Sequence, residues 1–156
     1  TTISEQKERL QEKRKEIETK VTEKTAEVRQ KLEIGRAKLV RMYIDRMSKR
    51  YDAAINRLDN LAQRISTRLD KLSTGEDKKD VTAYQKSLAA AKVKIEAART
   101  KLAETKTALS AVADSELPKT DFEAARKKLS ETKTAIKEAH AALVDVINSI
   151  KGINKK

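Results

Sequence analysis

The side chains that most often perform chemistry are few and scattered in this chain. His140 is the only histidine in 156 residues, and there is no cysteine. A lone imidazole with no thiolate or second histidine nearby is poor metal chemistry, and without an activated serine it completes no triad. Set among Ala139, Ala141 and Ala142, it reads as a packing or surface residue. The carboxylates fall on solvated or cross-helix flanks, with nothing to raise a pKa as a general acid requires. Gly35, Gly75 and Gly152 stand alone, so no glycine-rich loop can cradle a phosphate. Tyr43, Tyr51 and Tyr84 lie on apolar seams, where they read as packing residues and not as platforms for stacked bases. The pattern predicts no catalytic residues, no metal, no cofactor and no small-molecule substrate.

Charge is the stronger signal. The formal net charge is +12, with 38% charged residues against 3% aromatic ones. Residues 1–33 are nearly balanced, whereas residues 34–73 carry ten basic and four acidic side chains. Within that stretch Arg50, Arg57, Arg64 and Lys71 recur every seven residues, with no carboxylate three or four residues away. Left alone they would form a rail for a polyanion. Glu131, Glu138 and Asp145 repeat at the same spacing further on. Arg50/Glu131, Arg57/Glu138 and Arg64/Asp145 are therefore predicted as interhelical partners. On the opposite flank Asp45, Asp52 and Asp59 are predicted to face Lys106, Lys101 and Lys94. Exposed pairs contribute only about 0–1 kcal/mol each, so their expected value is register.

The elements that would place these charges are long helices. Apolar residues at Val40, Ile44, Met47, Tyr51, Ala54, Leu58, Leu61, Ile65 and Leu72 alternate steps of three and four, the seam of a helix packed along its length. A second seam runs Val81, Tyr84, Leu88, Ala91, Ile95, Ala98, Leu102, Thr105, Leu109 and Val112. A third runs Phe122, Ala125, Leu129, Thr132, Ile136, Ala139, Leu143, Val146 and Ile150. Three seams of similar length predict an all-α, up-down-up three-helix bundle over residues 35–156, with helices at about 35–73, 78–113 and 121–151. Gly75 suits a left-handed residue past the first helix, and Asp77 with Asp80 suits a cap for the second. Pro118 is expected to break the next loop, and Thr120-Asp121-Phe122-Glu123 reads as a capping box. Gly152 with Ile153 reads as the close of the third helix. Residues 96–109 (EAARTKLAETKTAL) and 123–136 (EAARKKLSETKTAI) match closely in the same seam register, which points to internal duplication.

Residues 1–34 have no counterpart in the later helices. Ile3, Leu10, Ile17, Val21, Val28 and Leu32 lie near one line, interrupted by Lys7, Arg14 and Lys24. This predicts a helical arm extending helix one and projecting beyond the bundle by up to about 50 Å. Gly35 marks its junction, as a soft point, a close-contact site or a tolerated accident. No apolar run is long enough to span a bilayer. The chain opens on Thr1 and not Met, with Thr2-Ile3-Ser4-Glu5 resembling a capping box, which suggests removal of a leader or a cloning boundary.

Two functions follow from these features. An incomplete apolar stripe with nothing to cover it predicts an interaction protein that self-associates through residues 3–32 into a dimer or filament. The basic flanks, including Lys92, Arg99 and Lys106 beside Arg126 and Lys133, alternatively predict a binder of nucleic acid or an anionic envelope polymer. Amphipathic membrane binding ranks behind both, because the arm lacks a broad aromatic-rich face. The runs YDAAINRLDNLAQRI at residues 51–65 and KEAHAALVDVI at residues 137–147, with the Gly75 turn, resemble uncharacterised exported helical proteins of small-genome candidate-phylum bacteria. The resemblance covers about residues 40–152. It implies export to the envelope or exterior and brings no catalytic residues.

Overall fold

The computed structural model describes residues 2–154. The chain forms three helices, α1 (Thr2–Thr74), α2 (Thr82–Ala113) and α3 (Pro118–Asn154), and the described residues include no strand. This is the expected all-α architecture with a long first helix. The chain divides into two units, residues 1–39 and 40–156.

In the N-terminal unit the described residues are helical throughout, and almost all their side chains are exposed. Thr19, Thr22 and Thr25 donate their hydroxyls to the carbonyls of Lys15, Glu18 and Val21, at 2.9, 2.8 and 2.7 Å. Such i−4 bonds keep a β-branched hydroxyl satisfied within a helix. Gly35 continues the helix without a positive φ, and a Cβ built on it meets nothing within 4 Å. It is therefore no close-contact site.

The second unit holds the core. Met47, Tyr51, Ile55, Leu58, Ala62, Ile65 and Leu69 of α1 are buried against Leu88, Ala91, Ile95, Ala98, Leu102, Leu109 and Val112 of α2 and against α3, where Ala125, Ala139 and Leu143 are fully enclosed. The α2 and α3 seams bury as their spacing predicts, except that Phe122 remains 38% exposed and Tyr84 and Ile136 are only partly covered. The α1 seam differs more. Ile55, Ala62 and Leu69 are the enclosed line, whereas Ala54 and Leu61 are half-buried at its border. A helix packed against two neighbours needs a stripe wider than a single seam. The single line read from the sequence took the α3-facing edge of that stripe.

The ends of the helices depart from their sequence signals. No glycine has a positive φ. Gly75 instead donates its N–H to the Lys71 carbonyl at 3.0 Å, in continuation of the helical pattern. Gly152 lies inside α3, two residues short of its end. The turn is closed by Lys79 N–H on the Leu72 carbonyl at 3.0 Å and Lys78 N–H on the Gly75 carbonyl at 3.1 Å. Asp80, and not Asp77, prepares α2, accepting from the Thr82 N–H at 3.0 Å and the Thr82 hydroxyl at 2.7 Å. Those bonds favour the ionised form and hold the Asp80 carboxyl below its ordinary value, through the Thr82 hydroxyl first and the Thr82 N–H second. Pro118 opens α3 where a loop residue was expected, as suits a residue with no N–H to satisfy in a first turn. Ser115 bridges this corner, its hydroxyl donating to Asp121 and accepting from the Leu117 N–H.

Two substitutions test this description. Gly35→Ala fills open space at a helical φ and should increase amide protection around residue 35 by up to about 1 kcal/mol, read by hydrogen exchange. Leu143→Ala empties a fully enclosed site and should destabilise the bundle by about 2–5 kcal/mol in urea unfolding.

Candidate functional site

The surfaces that could bind something are decided by which charges the helices bring together. Antiparallel packing of α1 and α2 places Lys106 Nζ 3.6 Å from Asp52 and joins Arg99 to Asp59. The expected partners were Lys101 for Asp52 and Lys94 for Asp59, with Lys106 opposite Asp45. The flank is correct, but for Asp52 and Asp59 the register is displaced by five residues along the facing helix, Lys106 standing for Lys101 and Arg99 for Lys94. The displacement follows from the turn. It occupies residues 75–81, and starting α2 later slides every facing position in an antiparallel pair. Arg99 also reaches Glu96 at 3.5 Å on its own helix. Two of the basic residues that suggested a polyanion stripe on α2 are thus engaged by carboxylates.

The parallel flank differs further. Glu131 turns toward α2, where Lys101 Nζ approaches to 3.3 Å and also lies 3.7 Å from Glu104. Arg50 therefore does not take Glu131; its guanidinium lies 6.0 Å from the Tyr51 ring centroid. Among the described residues no ion pair joins Arg57 to Glu138 or Arg64 to Asp145. The Arg57 Nε–H instead reaches the Ala53 carbonyl at 3.3 Å. Arg57 lines the α1–α3 groove with Lys137 and His140, so α3 presents the Lys137 cation at the level where Glu138 was expected.

One polar contact lies within the core. Thr105 and Thr132, both fully buried, meet hydroxyl to hydroxyl at 3.0 Å. Each also lies within hydrogen-bond distance of its own i−4 carbonyl, Lys101 at 2.8 Å and Lys128 at 3.1 Å, so the hydroxyl that donates across to the other does not donate to its own helix, and the second remains free to donate to its carbonyl. They are equivalent positions of the internal repeat, 27 residues apart. Two similar helices packed antiparallel thus meet at their own counterpart residue, as across a local twofold axis. The duplication was visible in the sequence and could have supplied the α2–α3 register, and with it the Lys101–Glu131 pair.

Among the described residues no group of three or more His, Cys, Asp or Glu is placed to hold a metal ion. No helix among them is long and apolar enough to cross a membrane. Two open hollows lie along the α1–α3 groove. One, of about 520 Å³, has a floor of Leu58, Leu61 and Ile136 beneath Arg57, Lys137 and His140. The other, of about 270 Å³, has Ile65, Ile147 and Ile150 beneath Arg64, Arg68 and Lys151, with Leu61 shared. The oligomer-interface candidates Ile3, Leu10, Ile17, Val21, Val28 and Leu32 are all between 56 and 70% exposed. Comparison with models of known protein families, with curated proteins and with solved structures gives no match.

Lys101 titrates abnormally because of its partners. The hydrogen bond to Glu131, then the charges of Glu131 and Glu104, raise its pKa above the ordinary 10.5. A raised lysine contributes stability that is fully present below the unfolded-state value and lost as pH rises through the folded-state value. The stability advantage of the native chain over Lys101→Met should therefore be constant through neutral pH and shrink above about pH 10.4, as read from urea midpoints across an alkaline series.

Proposed function

We propose that this is a non-enzymatic structural or interaction protein that self-associates through the N-terminal part of α1. The observation that carries the reading is the exposed line Ile3, Leu10, Ile17, Val21, Val28 and Leu32 on unbroken helix. Six large aliphatic side chains on one helical line favour burial against another helix, at about 25 cal/mol per Å² removed from water. A second copy of the same segment is a partner always at hand, giving a dimer if the contact is self-complementary and a filament if it is not. Export to the envelope or exterior, implied by the resemblance over residues 40–152, belongs to the same proposal.

The charge pattern sets a condition on this association. Lys7, Arg14 and Lys24 interrupt the apolar line, so two such segments bring like charges together. Salt screens exposed charges over about 10 Å at 0.1 M, and apolar burial is not weakened by it. Self-association should therefore strengthen with ionic strength, opposite to the behaviour of a polyanion complex. The polyanion reading retains Lys92, Arg126 and Lys133 on the outer flanks, but Arg99 and Lys106 are engaged by Asp59 and Asp52.

Sedimentation velocity of the full chain and of a version lacking residues 1–34, at low and moderate salt, tests the proposal. The full chain should form concentration-dependent species larger than a monomer, more so at higher salt, and the shortened chain should remain monomeric. Identical monomers at every concentration would remove this reading.

A further inference from the structure

The α1–α3 groove differs from the other described flanks of the bundle. Its floor is aliphatic, and every ionisable side chain lining its two hollows is basic: Arg57, Lys137 and His140 at one end, Arg64, Arg68 and Lys151 at the other. No carboxylate lines either hollow. The α1–α2 and α2–α3 flanks, by contrast, carry the Lys106–Asp52, Arg99–Asp59 and Lys101–Glu131 pairs. Like charges left together along an apolar strip repel one another, and an occupant that supplies both apolar contact and negative charge relieves both costs.

We propose that the α1–α3 groove is a docking site for an acidic amphipathic helix of another protein, which lies along it as a fourth helix of the bundle. The dimensions favour a helix. From Arg57 to Arg68 on α1 and from Lys137 to Lys151 on α3 the strip extends about 17–21 Å at 1.5 Å per residue. Arg57 and Arg64 are one heptad apart, and Lys137 and Lys151 two, so carboxylates on a heptad repeat would meet a cation at each level. A single-headed amphiphile would satisfy one end only. A nucleic acid would gain nothing from an aliphatic floor that offers no aromatic ring for stacking. The N-terminal segment of a second copy is a poor occupant, since Lys7, Arg14 and Lys24 interrupt its apolar line and would face Arg57 and Arg64. This surface is separate from that segment, and the proposal stands whether or not the chain self-associates.

The test uses the full chain and synthetic helices about three heptads long. One carries leucine on its seam and glutamate on its flanks; its counterpart has lysine in place of glutamate. Binding is read by fluorescence anisotropy. The glutamate peptide should bind and the lysine peptide should not. Arg57→Glu with Arg64→Glu should weaken the glutamate peptide by at least about tenfold and confer binding of the lysine peptide. Leu61→Gln, which leaves the charges and removes the shared floor, should weaken it by a comparable factor. Circular dichroism melting confirms folding of each variant, and either variant alone is sufficient if the other does not fold. Undiminished binding in a folded variant would overturn the proposal. So would displacement of the glutamate peptide by palmitate, or by a peptide of residues 1–34, at lower concentration than by unlabelled glutamate peptide.

Discussion

Register between neighbouring helices is the constraint on which the surface of this molecule depends. The turn at residues 75–81 is held by Lys79 N–H on the Leu72 carbonyl and by Asp80 on Thr82, with Val81 buried beneath it. Lys79 also reaches across to the last turn of α3, where its ammonium lies 3.5 Å from the Ile153 carbonyl. A cation at a helix C-terminus is favoured by the partial negative charge there, so one loop sets the α1–α2 register and ties it to α3. Once that register is set, Asp52 meets Lys106 and Asp59 meets Arg99, and among the described residues no ion pair engages Arg50, Arg57 or Arg64 on the other flank of α1.

Stability and specificity come from different parts of the bundle. The apolar interior extends from Met47 to Leu69 on α1 and along both later helices. Fully enclosed Ala91, Ala98, Ala125 and Ala139 let the α2 and α3 backbones approach closely. The surface ion pairs, each with side chains about 36–49% exposed, add little to that total. Their contribution is to register, because sliding one helix by a few residues separates each cation from its carboxylate. The Thr105–Thr132 contact acts the same way from inside. The two enclosed hydroxyls satisfy one another between the helices, and their contact holds the two repeats at one relative height.

The same logic divides the exterior into matched and unmatched surfaces. Where α1 meets α2 and α2 meets α3, cations and carboxylates face each other. Where α1 meets α3, cations face cations over an aliphatic floor, and in the N-terminal unit a line of aliphatic side chains faces solvent. These two unmatched features differ in chemistry and belong to different units of the chain.

Much of this was legible in residue spacing. The all-α class, the number of helices and nearly every buried residue of α2 and α3 follow from unbroken three-four periodicity, because a helix exposes side chains to its neighbours at a fixed angular step. The exposed line from Ile3 to Leu32 was legible for the same reason. Charge partners were not. Arg57/Glu138 and Asp52/Lys101 were reasonable from heptad spacing, but spacing along each helix does not fix how far it slides past its neighbour, and a turn longer than expected moved the α1–α2 pairing by five residues. Gly75 follows the last residue of α1 as its signal implied, though without a positive φ, whereas the signals at Gly152 and Pro118 misled, since each of those residues is compatible with helix as well as with its end. What the chain alone determined is periodic and local. Tertiary structure decided the register, through the length of the turn at residues 75–81 and its Lys79 contact with the end of α3, and thereby decided which charges pair across the helices.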